Sequence, residues 1–150
     1  MSDATTLPTS ARLVIVGAGI VGCGLAYHLT KLGWRDVVVV DQGPLYETGG
    51  SSSHAPGLIF QTNYSKFMTQ CAIYSVDLYK DLRYNDTQCA YQVGGIEVAY
   101  TEARLRELHR KQSVAAAYGL TGHLISPQEV ADFVPLVDPA VIKGGYYVPT

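Results

Sequence analysis

Three glycines, one aspartate and a serine run ending in a histidine are the residues here whose types and spacing could do chemistry. Gly17-Ala18-Gly19-Ile20-Val21-Gly22 is a G-x-G-x-x-G turn, and its chemistry is the holding of a dinucleotide. Gly17 permits a tight turn, Gly19 lets a pyrophosphate approach the backbone, and Gly22 lets a helix pack close to a strand. A helix starting at such a turn aims unpaired N–H groups and a partial positive charge at phosphates. Asp41 lies nineteen residues after Gly22, where a carboxylate can accept hydrogen bonds from a ribose diol. The same acid would repel a 2′-phosphate, and Gln42-Gly43-Pro44 supplies no arginine, which disfavours NADP. FAD and NAD both remain open on these residues. A glycine-rich turn in some other α/β fold would explain the glycines but not the position of the acid.

The second candidate is the loop Gly49-Gly50-Ser51-Ser52-Ser53-His54-Ala55-Pro56-Gly57-Leu58. Its hydroxyls and glycine N–H groups suit phosphate and ribitol oxygens, and small neighbours leave His54 reachable. Spacing alone does not separate a functional histidine from one that is solvated or bonded to backbone.

Stepping outward, these residues need a strand, a helix and a second strand to hold them. Leu13–Val16 is a continuous apolar run, as in a parallel strand covered on both faces. The helix from Ile20 to Leu32 carries Leu25, Leu29 and Leu32 on one side, with Gly33 as its C-cap. Val37–Val40 is the second buried strand, and Gln42 to Gln61 reads as a long loop. Phe67, Cys71, Tyr74 and Leu78 predict a helix. Tyr91–Val93 and Ile96–Tyr100, either side of Gly94-Gly95, predict a hairpin. Thr101 caps a helix that stops at Gly119, and Ser126-Pro127-Gln128-Glu129 is a capping box for a short helix closed by Pro135. Gly144–Thr150 reads as a last strand. No second strand–helix–strand unit follows Val40, and two isolated parallel strands would leave apolar edges unpaired.

Gross composition bounds the rest. At 150 residues, 47% hydrophobic and a net charge of −2, the chain is one domain's worth of soluble globular material at most. It has no basic patch for nucleic acid and no apolar run near the roughly 20 residues needed to span a bilayer. Met1–Ser10 is short and polar, unlike a secretory signal or an Arg-rich transit peptide, so a cytoplasmic location is expected, with mitochondria not excluded. Cys23, Cys71 and Cys89 form no C-x-x-C pair and read as free thiols, the first two packed inside helices. No cysteine or histidine spacing suits a metal. His28, His109 and His123 are read as packing, solvated-helix and loop residues, and Glu97 as outward-facing.

The motifs G-A-G-I-V-G, D-Q-G-P, G-G-S-S-S-H-A-P-G-L, V-G-G-I-E-V-A, L-I-S-P-Q-E-V and G-G-Y-Y-V-P together resemble the amino-acid- and amine-oxidising flavoproteins. Within them the chain most resembles dimethylglycine oxidase and the dimethylglycine and sarcosine dehydrogenases. The likeness runs from Arg12 to the last residue but covers only the N-terminal part of that family's flavin domain. It implies an α/β fold: the N-terminal part of a Rossmann-like FAD-binding fold plus the start of an α+β substrate domain. The expected organisation is a polar arm over 1–11, a dinucleotide-binding unit and flavin loop over 12–62, and helices and a hairpin leading into the substrate domain over 63–150.

The resemblance also implies roles. His54 falls where these enzymes attach FAD covalently to a histidine ring. Ile20 and Val21, at the glycine turn of Gly17, Gly19 and Gly22, would lie on the pyrophosphate, and Asp41 and Gln42 would hold the adenosine ribose. Ser51, Ser52, Ser53 and Leu58 would line the flavin side. The implied reaction is hydride transfer to flavin from the carbon beside the nitrogen of an N-methylated glycine or related amine. The product is then hydrolysed to the shorter amine and formaldehyde, or gives its one-carbon unit to a folate. Folate and the electron acceptor would be met by regions beyond this chain, and no catalytic base is assigned. The mitochondrial dehydrogenases commonly place tryptophan just before the histidine, whereas this chain has Ser53, nearer the oxidase-like branch. An NAD-dependent dehydrogenase and a truncated, non-catalytic nucleotide-binding fragment are the alternatives. Residues 1–150 alone are expected to be unstable and inactive.

Overall fold

Four consecutive valines, Val37–Val40, are stiff at χ1 and favour extended chain, and they form strand β2 beside β1, Leu13–Val16. The computed structural model describes residues 8–44 and 49–149. Residues 1–7 of the polar arm, residues 45–48 of the long loop and Thr150 lie outside the described residues. The chain divides after Leu58 into two compact units.

In the first unit β1 and β2 are parallel, with Leu13 opposite Val37 and Val16 opposite Val40. Helix α1, Ile20–Lys31, is the crossover between them. Gly22 sets how closely it packs: a Cβ there would lie 1.8 Å from the Gly17 carbonyl oxygen and 3.4 Å from Ile15. Ile15, buried beneath the helix, is the core of this unit. The helix ends in a Schellman motif, with Trp34 N–H donating to Leu29 O, Gly33 N–H to Thr30 O, and Gly33 at φ +84°. Before β1, the Arg12 guanidinium stacks 4.4 Å over the Trp34 ring, and Arg12 N–H donates to the Asp36 carboxylate.

The expectation that β1 is covered on both faces does not hold among the described residues. Val14 is 53% and Val16 86% exposed, because a two-stranded sheet with one helix has a second face with nothing on it. Cys23 and Cys71 are exposed rather than packed, although both lie in the expected helices.

The second unit is built on an antiparallel sheet. Its strands are β5 (Gly95–Ala99), β6 (His123–Ile125) and β7 (Gly144–Val148), with β7 in the centre. Helix α3, Glu102–Ala117, covers one face, and Leu108, Ala115, Ala99, Tyr146 and Val148 make the core there. Thr101 caps α3 by accepting from Arg104 N–H, and a second Schellman end places Gly119 at φ +86°. Helix α4, Pro127–Phe133, starts at the reciprocal capping box of Ser126 and Glu129. Helix α2, Lys66–Tyr79, precedes a small hairpin of β3 (Arg83–Tyr84) and β4 (Thr87–Gln88).

Four expectations are corrected here. Tyr91–Val93 forms no strand; β5 pairs instead with β7, fifty residues away, because Tyr146 and Val148 bury fully while Tyr91 and Val93 have nothing to pack on. The stripe Phe67, Cys71, Tyr74 is exposed, and α2 buries Thr69 and Val76 on its other side. His123 opens strand β6 opposite Tyr147 rather than lying in a loop. Glu97 is 22% exposed and faces α3, where Arg104 donates to it at 2.8 Å and Lys111 closes the second oxygen. Among the described residues, no helix is long and apolar enough to cross a membrane.

Candidate functional site

The C-terminal ends of β1 and β2 open onto a cleft of about 420 Å³. Its walls are Val16, Gly17 and Gly19 from the first turn, Val40, Asp41 and Gln42 from the second strand end, and Gly50, Ser51 and Ser52 from the serine loop. A ligand site outside the carboxyl ends of parallel strands is what this topology provides. Gly17 reverses the chain at φ +102°, a conformation that strains any residue with a Cβ. Its N–H donates to the Val40 carbonyl at 2.7 Å, tying the turn to β2.

Asp41 organises the floor. One carboxylate oxygen accepts from Ala18 N–H at 2.6 Å and the other from Gly43 N–H at 3.0 Å. The Ala18 N–H, and after it Gly43, hold this carboxyl below its ordinary value, since bonds to the charged form favour ionisation. Asp41 therefore fixes the glycine turn as well as offering remaining lone pairs to a ligand hydroxyl.

The serine loop contains a short 3₁₀ turn, Ser51–His54. Gly19 caps α1 without a side chain, so the first helix N–H groups have no cap of their own. The Ser52 hydroxyl accepts from Ile20 N–H at 2.9 Å. Ser53 Oγ donates to Gly50 O at 2.7 Å. His54 Nδ1 lies 3.0 Å from the same carbonyl and 3.3 Å from Ser53 Oγ. A carbonyl only accepts, so this bond puts a proton on Nδ1 and, in the neutral ring, the lone pair on Nε2.

Of the residues named from sequence, Gly17, Gly19, Asp41, Gln42, Ser51 and Ser52 line this cleft. Ile20 and Val21 project outward from the first turn of α1, 58% and 82% exposed, and it is the Ile20 backbone that faces the loop. Gly22 acts beneath the turn, Ser53 and His54 bond within their own turn, and Leu58 is 65% exposed at the end of the unit. Sequence reading missed Val16, Val40 and Gly50 as lining residues. The signal was available, since the last residue of each parallel strand borders a switch-point crevice. No metal-binding group of acidic, histidine or cysteine side chains occurs among the described residues.

The fit to a dinucleotide cofactor is physical. A tight positive-φ turn, a glycine that keeps Cβ out of the cleft, a helix start whose N-cap residue has no side chain and an acid at the second strand end surround one cavity. The chain matches the family model described as FAD dependent oxidoreductase over residues 12–150. It is 37% identical over 145 residues to the mitochondrial pyruvate dehydrogenase phosphatase regulatory subunit of Mus musculus, covering 95% of this chain and 16% of that protein. It is 32% identical over 148 residues to the mitochondrial sarcosine dehydrogenase of Mus musculus, again 95% of this chain and 16% of that protein. The L-proline dehydrogenase structure from P. horikoshii superposes with a TM-score of 0.83 at 25% identity, covering 96% of this chain and 38% of that one. The chain thus spans about a sixth of the length of these curated relatives. FAD, not NAD, is the cofactor of the matched family, which sets the NAD-dependent alternative aside. Residues 12–150 carry the N-terminal part of its α/β fold, and the chain belongs to the FAD dependent oxidoreductase family.

Proposed function

We propose that the protein oxidises the C–N bond of N-methylated glycines, of the sarcosine or dimethylglycine type, or of related amines. One observation carries the reading: the glycine turn, Asp41 and the serine loop converge on a single cleft, with His54 one turn away on the same loop. The bound flavin supplies the hydride acceptor, and the chain supplies binding and orientation. In this reading Asp41 takes the ribose, the start of α1 takes the pyrophosphate, and the serine loop flanks the flavin. His54, its Nδ1 held by Gly50, presents Nε2 for a covalent link to FAD. The sarcosine dehydrogenase relative supports the substrate class. Folate or an electron-transfer partner would act through other regions of a longer polypeptide.

A second reading has an observation of its own. The 37% identical relative is named a regulatory subunit, so a flavin-binding domain without turnover is the alternative. The mitochondrial names of both relatives and the exposed free thiols of Cys23, Cys71 and Cys89 support a reducing compartment, mitochondrial matrix or cytoplasm.

Denaturing mass spectrometry on the full polypeptide made by its native source, followed by anaerobic mixing with sarcosine, dimethylglycine and longer N-methyl amines, tests these. Retained flavin mapping to His54 and bleaching by one amine is the expected result. Bound flavin that no amine bleaches would select the regulatory reading. Flavin lost on denaturation but bleached by amine would keep the activity and return His54 to an ordinary loop residue.

A further inference from the structure

Lys111 lies on the inner side of α3 with its side chain only 15% exposed, and two groups share its ammonium. It donates to one carboxylate oxygen of Glu97 on β5, and it stands over the Phe60 ring, 5.1 Å from the centroid. Arg104 donates to the other Glu97 oxygen at 2.8 Å and to Glu107 at 2.6 Å. Half-buried ions are a poor source of stability, because lost hydration offsets their attraction and apolar residues of equal volume serve as well. Glu97 already has a cation in Arg104. What Lys111 adds is direction: Glu97 fixes the ammonium, and the ammonium attracts the face of one particular ring.

That ring opens a fastened segment. Phe60 packs against the core under α3, and Gln61 and Thr62 are buried. Thr69 Oγ1 donates to Asn63 O at 3.0 Å, and Tyr118 Oη donates to Tyr64 O at 3.2 Å. The segment is the exit of the serine loop, in which every residue from Ser51 to Ile59 is exposed. We propose that Lys111 is a positioning residue for the flavin: held by Glu97, it fixes Phe60 and so anchors the exit of the serine loop. This rests on the reading of that loop as flanking the flavin, and it adds a residue outside the cleft that orders the loop before the cofactor arrives. A loop held at its exit has less conformational freedom to lose on binding. A cation–π contact of ordinary strength corresponds to about a two- to tenfold effect on an equilibrium.

The test uses the full polypeptide with its cofactor, and two variants. Lys111→Met keeps the length of the side chain but not the charge, and it leaves Glu97 paired with Arg104. Lys111→Arg keeps a cation that can both pair with a carboxylate and stack on a ring. Amide hydrogen exchange over residues 60–64, flavin content per chain after gel filtration and visible circular dichroism of the flavin are read. In Lys111→Met, exchange over 60–64 is expected to rise about two- to tenfold, with lower flavin content and weaker dichroism. Exchange over β5 and β7 is expected to stay at the parent's level, and Lys111→Arg to match the parent throughout. Unchanged exchange over 60–64 would overturn the inference, and so would faster exchange spreading to β5 and β7, the mark of a merely structural role. Faster exchange over 60–64 with parental flavin content and dichroism would overturn it too, by separating the clamp from the cofactor. A parent that carries no flavin would remove the reading of the loop and the inference with it, a failure visible before any variant is compared.

Discussion

Gly22 and Asp41 act through the backbone atoms they let in or hold. A Cβ at position 22 would meet the Gly17 carbonyl at 1.8 Å, and neither partner is a side chain that could swing away. Gly22→Ala is therefore expected to push α1 off β1, lowering flavin content per chain after gel filtration as well as thermal stability. Asp41 carries a pH signature with a definite sign. Its folded carboxyl lies below its ordinary value because Ala18 and Gly43 N–H groups bond the ionised form. The stability this gives is complete above the unfolded value, about 3.9, and is lost as pH falls through the lower folded one. Denaturant unfolding at a series of pH values should show Asp41→Asn less stable than the parent at neutrality, with the difference shrinking on acidification. A difference independent of pH would mean the carboxylate is not ionised where it bonds. Tyr146 is the reverse case. It is fully buried and burial raises its phenol, against the opposing pull of the nearby Thr62 hydroxyl, yet among the described residues neither hydroxyl has a partner in full bonding geometry. Tyr146→Phe should be neutral or stabilising, because it removes a desolvated group and no bond. A loss above about 1 kcal/mol in urea unfolding would instead reveal a bound water bridging the pair.

At the scale of elements, ends are set by a few short-range signals. Both α1 and α3 stop at a glycine in the left-handed region, Gly33 and Gly119, and both end in the same pair of backbone bonds. Gly119→Ala is expected to cost about 1–2 kcal/mol in urea unfolding, since an L side chain resists that conformation. These signals are legible because they depend on neighbours within six residues. Pairing was not. Gly94-Gly95 has the composition of a hairpin turn, yet β5 is chosen by β7, whose Tyr146 and Val148 fill the space under α3. The true hairpin turn is Asn85-Asp86, both residues at positive φ, and its two-residue strands carry too little pattern to stand out. Glu97 shows the same limit: alternation gives its face, but only the position of α3 makes that face the one bearing Arg104 and Lys111.

For the molecule as a whole, the first unit presents an apolar sheet face in which Val14, Val16 and Val40 are exposed. Such a face, with strand edges beside it, promotes association. The 150-residue chain made alone is expected to bind a hydrophobic dye, to associate with rising concentration in light scattering, and to turn over no amine. Val14→Thr with Val16→Thr should reduce both dye binding and association; unchanged behaviour would put the sticky surface elsewhere. What the sequence determined by itself was the set of local devices: the glycine turn, the helix it opens, the acid at the second strand end, the caps, and the serine loop with its histidine. Each follows from backbone sterics and hydrogen bonding between near neighbours, which residue type and spacing encode directly. What only the tertiary structure decided was which atoms meet. It brings Ser52 onto the Ile20 N–H and Asp41 onto the Ala18 N–H, and it makes Val16 and Val40 walls of one cleft. Those contacts join residues twenty or more positions apart, and burial and strand pairing across the unit select them, not any pattern within a window of sequence.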